Sequence, residues 1–207
     1  MSLRIQHLGA RHQRSFETLH TWNRPLSLKS ELRIILLNQR RNLTPKQHDD
    51  GAEYALQLLE KHPLLKKASK IGFYRALAGE LNLWKVFEMC LLRGQRCYFP
   101  VCHEQQLNWI EVNQTSPWRK NQFGIFEPES GTIESIGQLD CILVPCVGCD
   151  PQHRRLGHGQ GFYDRALKGV GNPPWLIGVL YDIQLCPLIP RDPWDIPMNE
   201  LCIIPTA

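Results

Sequence analysis

Apolar positions along the chain follow two rhythms. In the first third they recur at helical spacing. Leu28, Leu32, Ile35 and Leu36 stand at i, i+4, i+7 and i+8, predicting one apolar face on a helix from about Ser27 to Arg41, with Ser27 as its cap. Thr44-Pro45 opens a second helix with a capping hydroxyl and proline at the first helical position. Ala52, Ala55, Leu56 and Leu59 form its stripe, and Pro63 ends it. Residues 71–75 then predict a strand. Leu83, Val86, Phe87, Cys90 and Leu91 mark one face of a helix with Gly94 as its C-cap, and residues 96–101 predict the next strand. This β-α-β unit implies parallel strands with a right-handed crossover. Residues 107–112 alternate and suit an antiparallel partner. Residues 139–145 and 175–181 are nearly continuous apolar runs, the mark of strands buried on both faces. A helix from about Gly161 to Lys168 lies between them, and residues 201–204 give a last short strand. The alternation predicts an α/β fold: an open, mostly parallel sheet flanked by helices in three layers. Ligands of such sheets sit beyond the carboxyl ends of the strands. Residues 113–138, rich in Pro, Gly, Ser and Asn, read as a long surface excursion of a kind that is often functional.

Residues 1–26 show no clear period and read as a loosely attached, disordered extension; a misassigned start codon would look the same. Residues 27–207 are expected to form one α/β domain. With 43% hydrophobic and 21% charged residues, the composition is that of an ordinary soluble protein. The net charge of +4 is too mild to imply a nucleic-acid partner and suits a small anion about as well. No apolar run approaches the roughly 18–20 residues that span a bilayer, so no membrane partner is expected. Arg4, Arg11 and Arg14 precede no apolar stretch, which makes a poor secretory signal and points to the cytoplasm. Of eight cysteines, Cys90, Cys97, Cys141 and Cys202 sit in apolar stretches and read as small core residues. Cys146 and Cys149 form a lone CxxC without the second ligand pair that zinc needs, and no zinc or redox role is assigned to them.

The segment richest in chemistry is Arg154-Arg155-Leu156-Gly157-His158-Gly159-Gln160-Gly161-Phe162-Tyr163-Asp164-Arg165, which follows a buried strand and opens a helix. Glycines at alternate positions let the backbone approach a ligand closely. Amides at a helix start face an anion, and Arg155 can supply a charge-assisted fork to phosphate. Asp164 can hold a metal that bridges phosphate oxygens. No GK[ST] follows, so this is not a P-loop, and the glycine spacing differs from the dinucleotide fingerprint. A tight βα turn with no ligand remains about equally compatible with the spacing.

Three further sites have a functional and a bland reading each. Lys29 and Arg33, four apart on the first helix, can grip a polyphosphate or form a solvated basic face. Glu80 follows a strand end, where sites are often built, but also suits an acid near a helix N-terminus. Asp195, within Trp194-Asp195-Ile196-Pro197, can ligate a metal or cap a turn.

Taken in order, these residues resemble the 5-formyltetrahydrofolate cyclo-ligase family. The resemblance rests on Lys29-x-x-Leu32-Arg33 with Arg40 and Arg41 before Leu43-Thr44-Pro45; Tyr74 with Glu80; and Phe126-Glu127-Pro128. It continues through Val144-Pro145 with Asp150, the Arg155–Arg165 element, Gly178 to Asp182 with Gln184, and Pro190 with Trp194-Asp195-Ile196-Pro197. It covers about residues 27–205, and RRNLTP and WDIP look most like the bacterial branch. The resemblance implies an ATP-dependent ligase of one-carbon metabolism, acting on 5-formyltetrahydrofolate with Mg²⁺, and a monomer is expected. It implies ATP contacts from Lys29, Ser30, Glu31, Leu32 and Arg33 and from Arg155, Leu156, Gly157, His158, Gly159, Gln160, Gly161, Phe162 and Tyr163. It implies folate contacts from Tyr74, Arg75 and Glu80 and from the stretch His158 to Phe162, catalytic roles for Arg155 and Asp164, and metal ligation by Asp164 and Asp195. The chain departs from the family pattern at His158, at Phe162 in place of a frequent Tyr, in the CxxC, and after Thr206. A non-catalytic nucleotide- or RNA-binding module would use the same glycines and cations, but has no need of Asp164 and Asp195. A phosphotransferase on another formyl or formimino substrate is the third reading.

Overall fold

The computed structural model describes residues 27–206 apart from 78, 104, 105, 122 and 123; the expectation for residues 1–26 falls outside them. Helix α1 (Leu28–Arg41) begins at Ser27, whose hydroxyl accepts from the Ser30 amide. Helix α2 (Pro45–Lys61) begins with a full capping box, in which Thr44 and Gln47 satisfy each other's backbone amides. Pro63 stops α2 and also starts a short α3 (Pro63–Lys67) capped by His62, an element the periodicity does not reveal.

Seven strands form one sheet: β1 (Lys70–Gly72), β2 (Arg96–His103), β3 (Gln106–Val112), β6 (Ile133–Glu134), β7 (Cys141–Pro145), β10 (Trp175–Tyr181) and β11 (Glu200–Ile204). Their order is β11-β10-β7-β1-β2-β3-β6. The first five run parallel, and β3 and β6 continue the sheet antiparallel. Helix α4 (Trp84–Leu92) makes the expected crossover from β1 to β2.

Side chains along the central strands alternate between two cores. Ile71, Cys97, Phe99, Cys141, Leu143, Ile177 and Val179 pack with Ala55, Leu59, Val86 and Phe87 beneath α2 and α4. Tyr98, Ile142, Val144 and Leu176 face the other way, with Trp109 and Leu167. Burial on both faces explains why β7 and β10 read as unbroken apolar runs. Gly72 permits this packing, because a Cβ there would lie 2.8 Å from Trp109 and 2.9 Å from Ile142. The second face is covered by the short α5 (Phe162–Leu167) and a 3-10 turn at Ile136–Gln138. Helix α5 is six residues long, shorter than the span expected from Gly161 to Lys168.

Four other expectations change. The strand at 71–75 ends at Gly72, and residues 73–75 turn off toward the strand ends. The excursion at 113–138 is partly ordered into a hairpin of β4 (Trp118–Lys120) and β5 (Phe126–Pro128), with β6 joining the main sheet. Another hairpin, β8 (Gly148–Cys149) with β9 (Arg155–Leu156), follows β7 and was not foreseen. Asp150, fully buried, builds its turn: its carboxylate accepts from the amides of Gln152, Arg154 and Ile189.

The fourth correction concerns which face of α1 turns inward. Leu28 and Ile35 are 56% and 54% exposed, so of the predicted apolar stripe only Leu32 and Leu36 turn inward. The inward face carries Lys29, Arg33, Leu36 and Arg40, with Leu32 and Leu37 at its edges. Leu36 packs with Val147, Leu156, Cys186 and Ile189, placing α1 across the loops that leave β7 and β10. Its inward cations meet partners on three loops: Lys29 after β10, Arg33 after β7 and Arg40 after β1.

Candidate active site

The loops leaving the carboxyl ends of β1, β2, β7 and β10 surround a cleft of about 730 Å³. This is where an open parallel sheet offers a site. Its lining includes Lys29, Arg33, Tyr74, Arg75, Glu80, the whole stretch Arg155–Arg165, Trp194 and Asp195. Segments far apart in sequence thus converge. Ser30, Glu31 and Leu32 do not line it: Ser30 hydrogen-bonds Ser27, Glu31 is exposed and Leu32 packs beside Leu36.

At one end the charges interlock. Lys29 Nζ donates to Asp192 Oδ2 at 2.7 Å and to Asp195 Oδ2 at 2.5 Å. Burial pulls the Lys29 ammonium down, but these bonds and charges outweigh it and hold its pKa above the ordinary 10.5. Asp195 Oδ2 also accepts from the Asp192 amide, so this residue caps its turn and faces the cleft at once. Asp164 Oδ1 accepts from the Ile196 amide, which brings the two carboxylates expected to bind metal to one locale. Asp164 Oδ2 lies 3.4 Å from Arg155 Nη2. The Arg155 side chain is 8% exposed, its Nε has no partner, and its guanidinium carbon lies 5.2 Å from the Tyr163 ring centre. An arginine buried with an unused donor is prepared for an anion. Asp192 and Lys168 also line this cleft, and sequence reading had passed over both.

The glycines shape the wall between. Arg33 Nε donates to Gly157 O at 2.7 Å, tying α1 to the loop. Gly159 and Gly161 have φ of +93° and +63°, left-handed values that suit glycine, and Gly159 lies against the Arg33 guanidinium. Gly161 precedes α5 with no side chain capping it, so the first amides of the helix keep their donors. With six residues, α5 adds little macrodipole; the amides themselves are the resource.

Glu80 lies deeper, with its side chain 4% exposed. Its Oε2 accepts from the Leu77 amide, and its Oε1 lies 3.0 Å from His158 Nε2 and 3.7 Å from Arg40 Nη1. It is thus a carboxylate held in a pocket wall, and the reading as a helix N-terminal acid does not apply. Tyr74 is buried, and its hydroxyl donates to Leu81 O at 2.8 Å. Burial holds its phenol well above the usual pKa, so it remains a donor that shapes the loop carrying Glu80. Arg75 stacks on the rings of Trp84, Trp118 and Phe126.

Residues 26–204 match the model of the 5-formyltetrahydrofolate cyclo-ligase family. The chain belongs to this family. A 5-formyltetrahydrofolate cyclo-ligase of Haemophilus influenzae is 28% identical over 185 residues, covering 84% of this chain and 97% of the relative. That of Mycoplasma pneumoniae is 37% identical over 177 residues, covering 83% and 95%. The solution structure of Aquifex aeolicus 5,10-methenyltetrahydrofolate synthetase superposes with a TM-score of 0.76 at 32% identity, covering 86% of this chain and 90% of that one. The CxxC that departs from the family pattern is buried: Cys146 and Cys149 pack with Leu180, away from the cleft lining. Cys90, Cys97, Cys141 and Cys202 are buried in the core, as their apolar settings predict. Among the described residues no helix is long and apolar enough to cross a membrane.

Proposed function

We propose that this chain is an ATP-dependent 5-formyltetrahydrofolate cyclo-ligase, yielding 5,10-methenyltetrahydrofolate, ADP and phosphate. The observation that carries the reading is one cleft with two differently built ends. Lys29, Arg33 and Arg155 with the glycine-loop amides suit a triphosphate, and Glu80 suits the hydrogen-bond donors of a pterin. The formyl oxygen attacks the γ-phosphorus, the bond to the β–γ bridging oxygen breaks, and ADP leaves. N10 then attacks the activated carbon and loses its proton, and the C–O bond breaks to release phosphate. Such transfer asks the protein mainly for positioning and charge stabilisation. Lys29 and Arg33 hold the phosphates, Arg155 neutralises charge on the transferring group, the backbone from Arg155 to Tyr163 wraps the nucleotide, and the stretch from His158 to Phe162 sits between nucleotide and folate. Attack by a folate nitrogen requires no protein nucleophile.

Asp164 and Asp195 are the residues we assign to Mg²⁺. Two carboxylates beside a phosphate site match the habit of this ion, which takes one or two carboxylates together with phosphate oxygens. Bound there, it would offset negative charge on the polyphosphate. We read the enzyme as a cytoplasmic monomer. The two carboxylates disfavour a non-catalytic nucleotide- or RNA-binding module, since acids beside phosphate repel unless a cation intervenes. Mixing the purified chain with 5-formyltetrahydrofolate and MgATP tests the reading. Near-ultraviolet methenyl absorbance should grow only when both ATP and Mg²⁺ are present. Folded protein that binds ATP without that signal would redirect the reading to another substrate.

A further inference from the structure

The end of the cleft away from Lys29 holds a cation that the phosphate chemistry does not use. The guanidinium carbon of Arg75 lies 4.4, 5.3 and 6.0 Å from the ring centres of Trp84, Trp118 and Phe126. Among the described residues no carboxylate pairs with it. The acids beside its aromatic neighbours are otherwise engaged: Glu88 accepts from Trp84 Nε1, and Glu127 takes Arg119 and Asn121. Burial alone lowers its pKa, and no neighbouring negative charge offsets the loss of water. Lys120, exposed on β4 and outside the cleft lining, adds a second positive charge 5.1 Å from the Phe126 ring centre. Phe99, Pro100, Leu107 and Ile125 line the same cleft and give it an apolar stretch. Flat rings fix the guanidinium plane while leaving its N–H edge to a ligand.

Resting on the folate reading above, we infer that Arg75 binds a carboxylate of the glutamyl tail of the substrate. Trp84, Trp118 and Phe126 aim its guanidinium, and Lys120 adds charge for the rest of the tail. A folate carries a pterin, a flat benzoyl ring and then glutamyl carboxylates. Glu80, the apolar stretch and Arg75 offer chemistry for each of these in turn. Arg75 is therefore a specificity-determining residue of the open end.

The test compares two substrates in the full chain: 5-formyltetrahydrofolate, and its 5-formyltetrahydropteroate counterpart, which lacks the glutamate. Arg75→Met keeps the length and apolar contact of the stem. It should raise KM for the folate about 10- to 100-fold, the range for losing one charge-assisted bond. It should leave KM for ATP and the saturated kcat near wild type, and barely change KM for the truncated compound. Arg75→Lys should recover part of the loss. An equal penalty on both compounds, or none on either, would overturn the inference while leaving the folate reading standing. Wild-type protein that turns over neither compound would overturn the folate reading and the inference with it. Retained KM for ATP in Arg75→Met reports that the variant is folded.

Discussion

The two ends of the cleft solve the problem of holding charge in opposite ways. At the Lys29 end, charge is met with charge: an ammonium bridges Asp192 and Asp195, and Arg155 lies beside Asp164. At the Arg75 end, a guanidinium rests on three aromatic rings with no carboxylate partner among the described residues. The first arrangement is a network that a triphosphate and its cation can rearrange, exchanging one set of partners for another. The second is a fixed surface with one coordination side left open. Interlocked charges suit a reacting group whose charge changes during the reaction. A cation on rings suits a part of the substrate that stays the same throughout.

Mutations can break this contrast, starting with the largest expected effect. Asp164→Asn removes the charge beside Arg155 and, on the proposed reading, a ligand of Mg²⁺, and should lower kcat by about 10²- to 10³-fold with the fold retained. Steady-state rates together with a thermal melt would check it; near-normal turnover would remove the metal assignment. Glu80→Gln should raise KM for folate about 10- to 100-fold and leave KM for ATP unchanged, if the proposed contact of Glu80 with the pterin holds. A change in both constants would show that the ends are not separable.

Lys29→Met should raise KM for ATP about tenfold. It should also alter stability with a definite sign. The Lys29 pKa is higher in the folded chain than the ordinary 10.5, so its stabilisation is full below that value and is lost as pH rises through the folded value. Denaturation midpoints of variant and wild type should therefore differ at neutral pH and converge in strong alkali. The smallest effect is expected from replacing Cys146 and Cys149 with Ser. Activity should stay within about twofold, while stability falls by about 1–3 kcal/mol for hydroxyls placed among Leu180 and Leu201. Zinc in the parent protein, with activity lost on replacement, would contradict this.

How much the sequence revealed depended on which force set each element. Strands β7 and β10 are buried on both faces, so their continuous apolar runs marked them to within two residues. Helix α2 announced itself through Thr44 and Pro45, which act locally; Gln47, which completes the capping box, emerged only in the structure. Helix α1 was found, and Leu32 and Leu36 of its predicted stripe do pack inward, but the other half of the stripe does not. Leu28 and Ile35 suggested a core face, while Lys29, Arg33 and Arg40 were drawn inward by partners 40 to 166 positions away. Hairpin β8–β9 has two-residue strands held by one buried carboxylate, Asp150, and leaves no periodic trace. Within the site, the Arg155–Arg165 element was legible because its glycines and charges are contiguous. Asp192 was missed because only the fold brings it to Lys29. The aromatic bracket of Arg75 joins α4 to the β4–β5 hairpin, and nothing in the spacing of Trp84, Trp118 and Phe126 signals that meeting.

The central claim is that the charged end of the cleft transfers phosphate to the formyl oxygen of a folate held at the other end. Substrate labelled with ¹⁸O at the formyl group, turned over in unlabelled water, tests this most directly. The account predicts one labelled oxygen in each phosphate released, in step with methenyl formation. Phosphate without the label would mean that ATP is split by water, and would contradict the account.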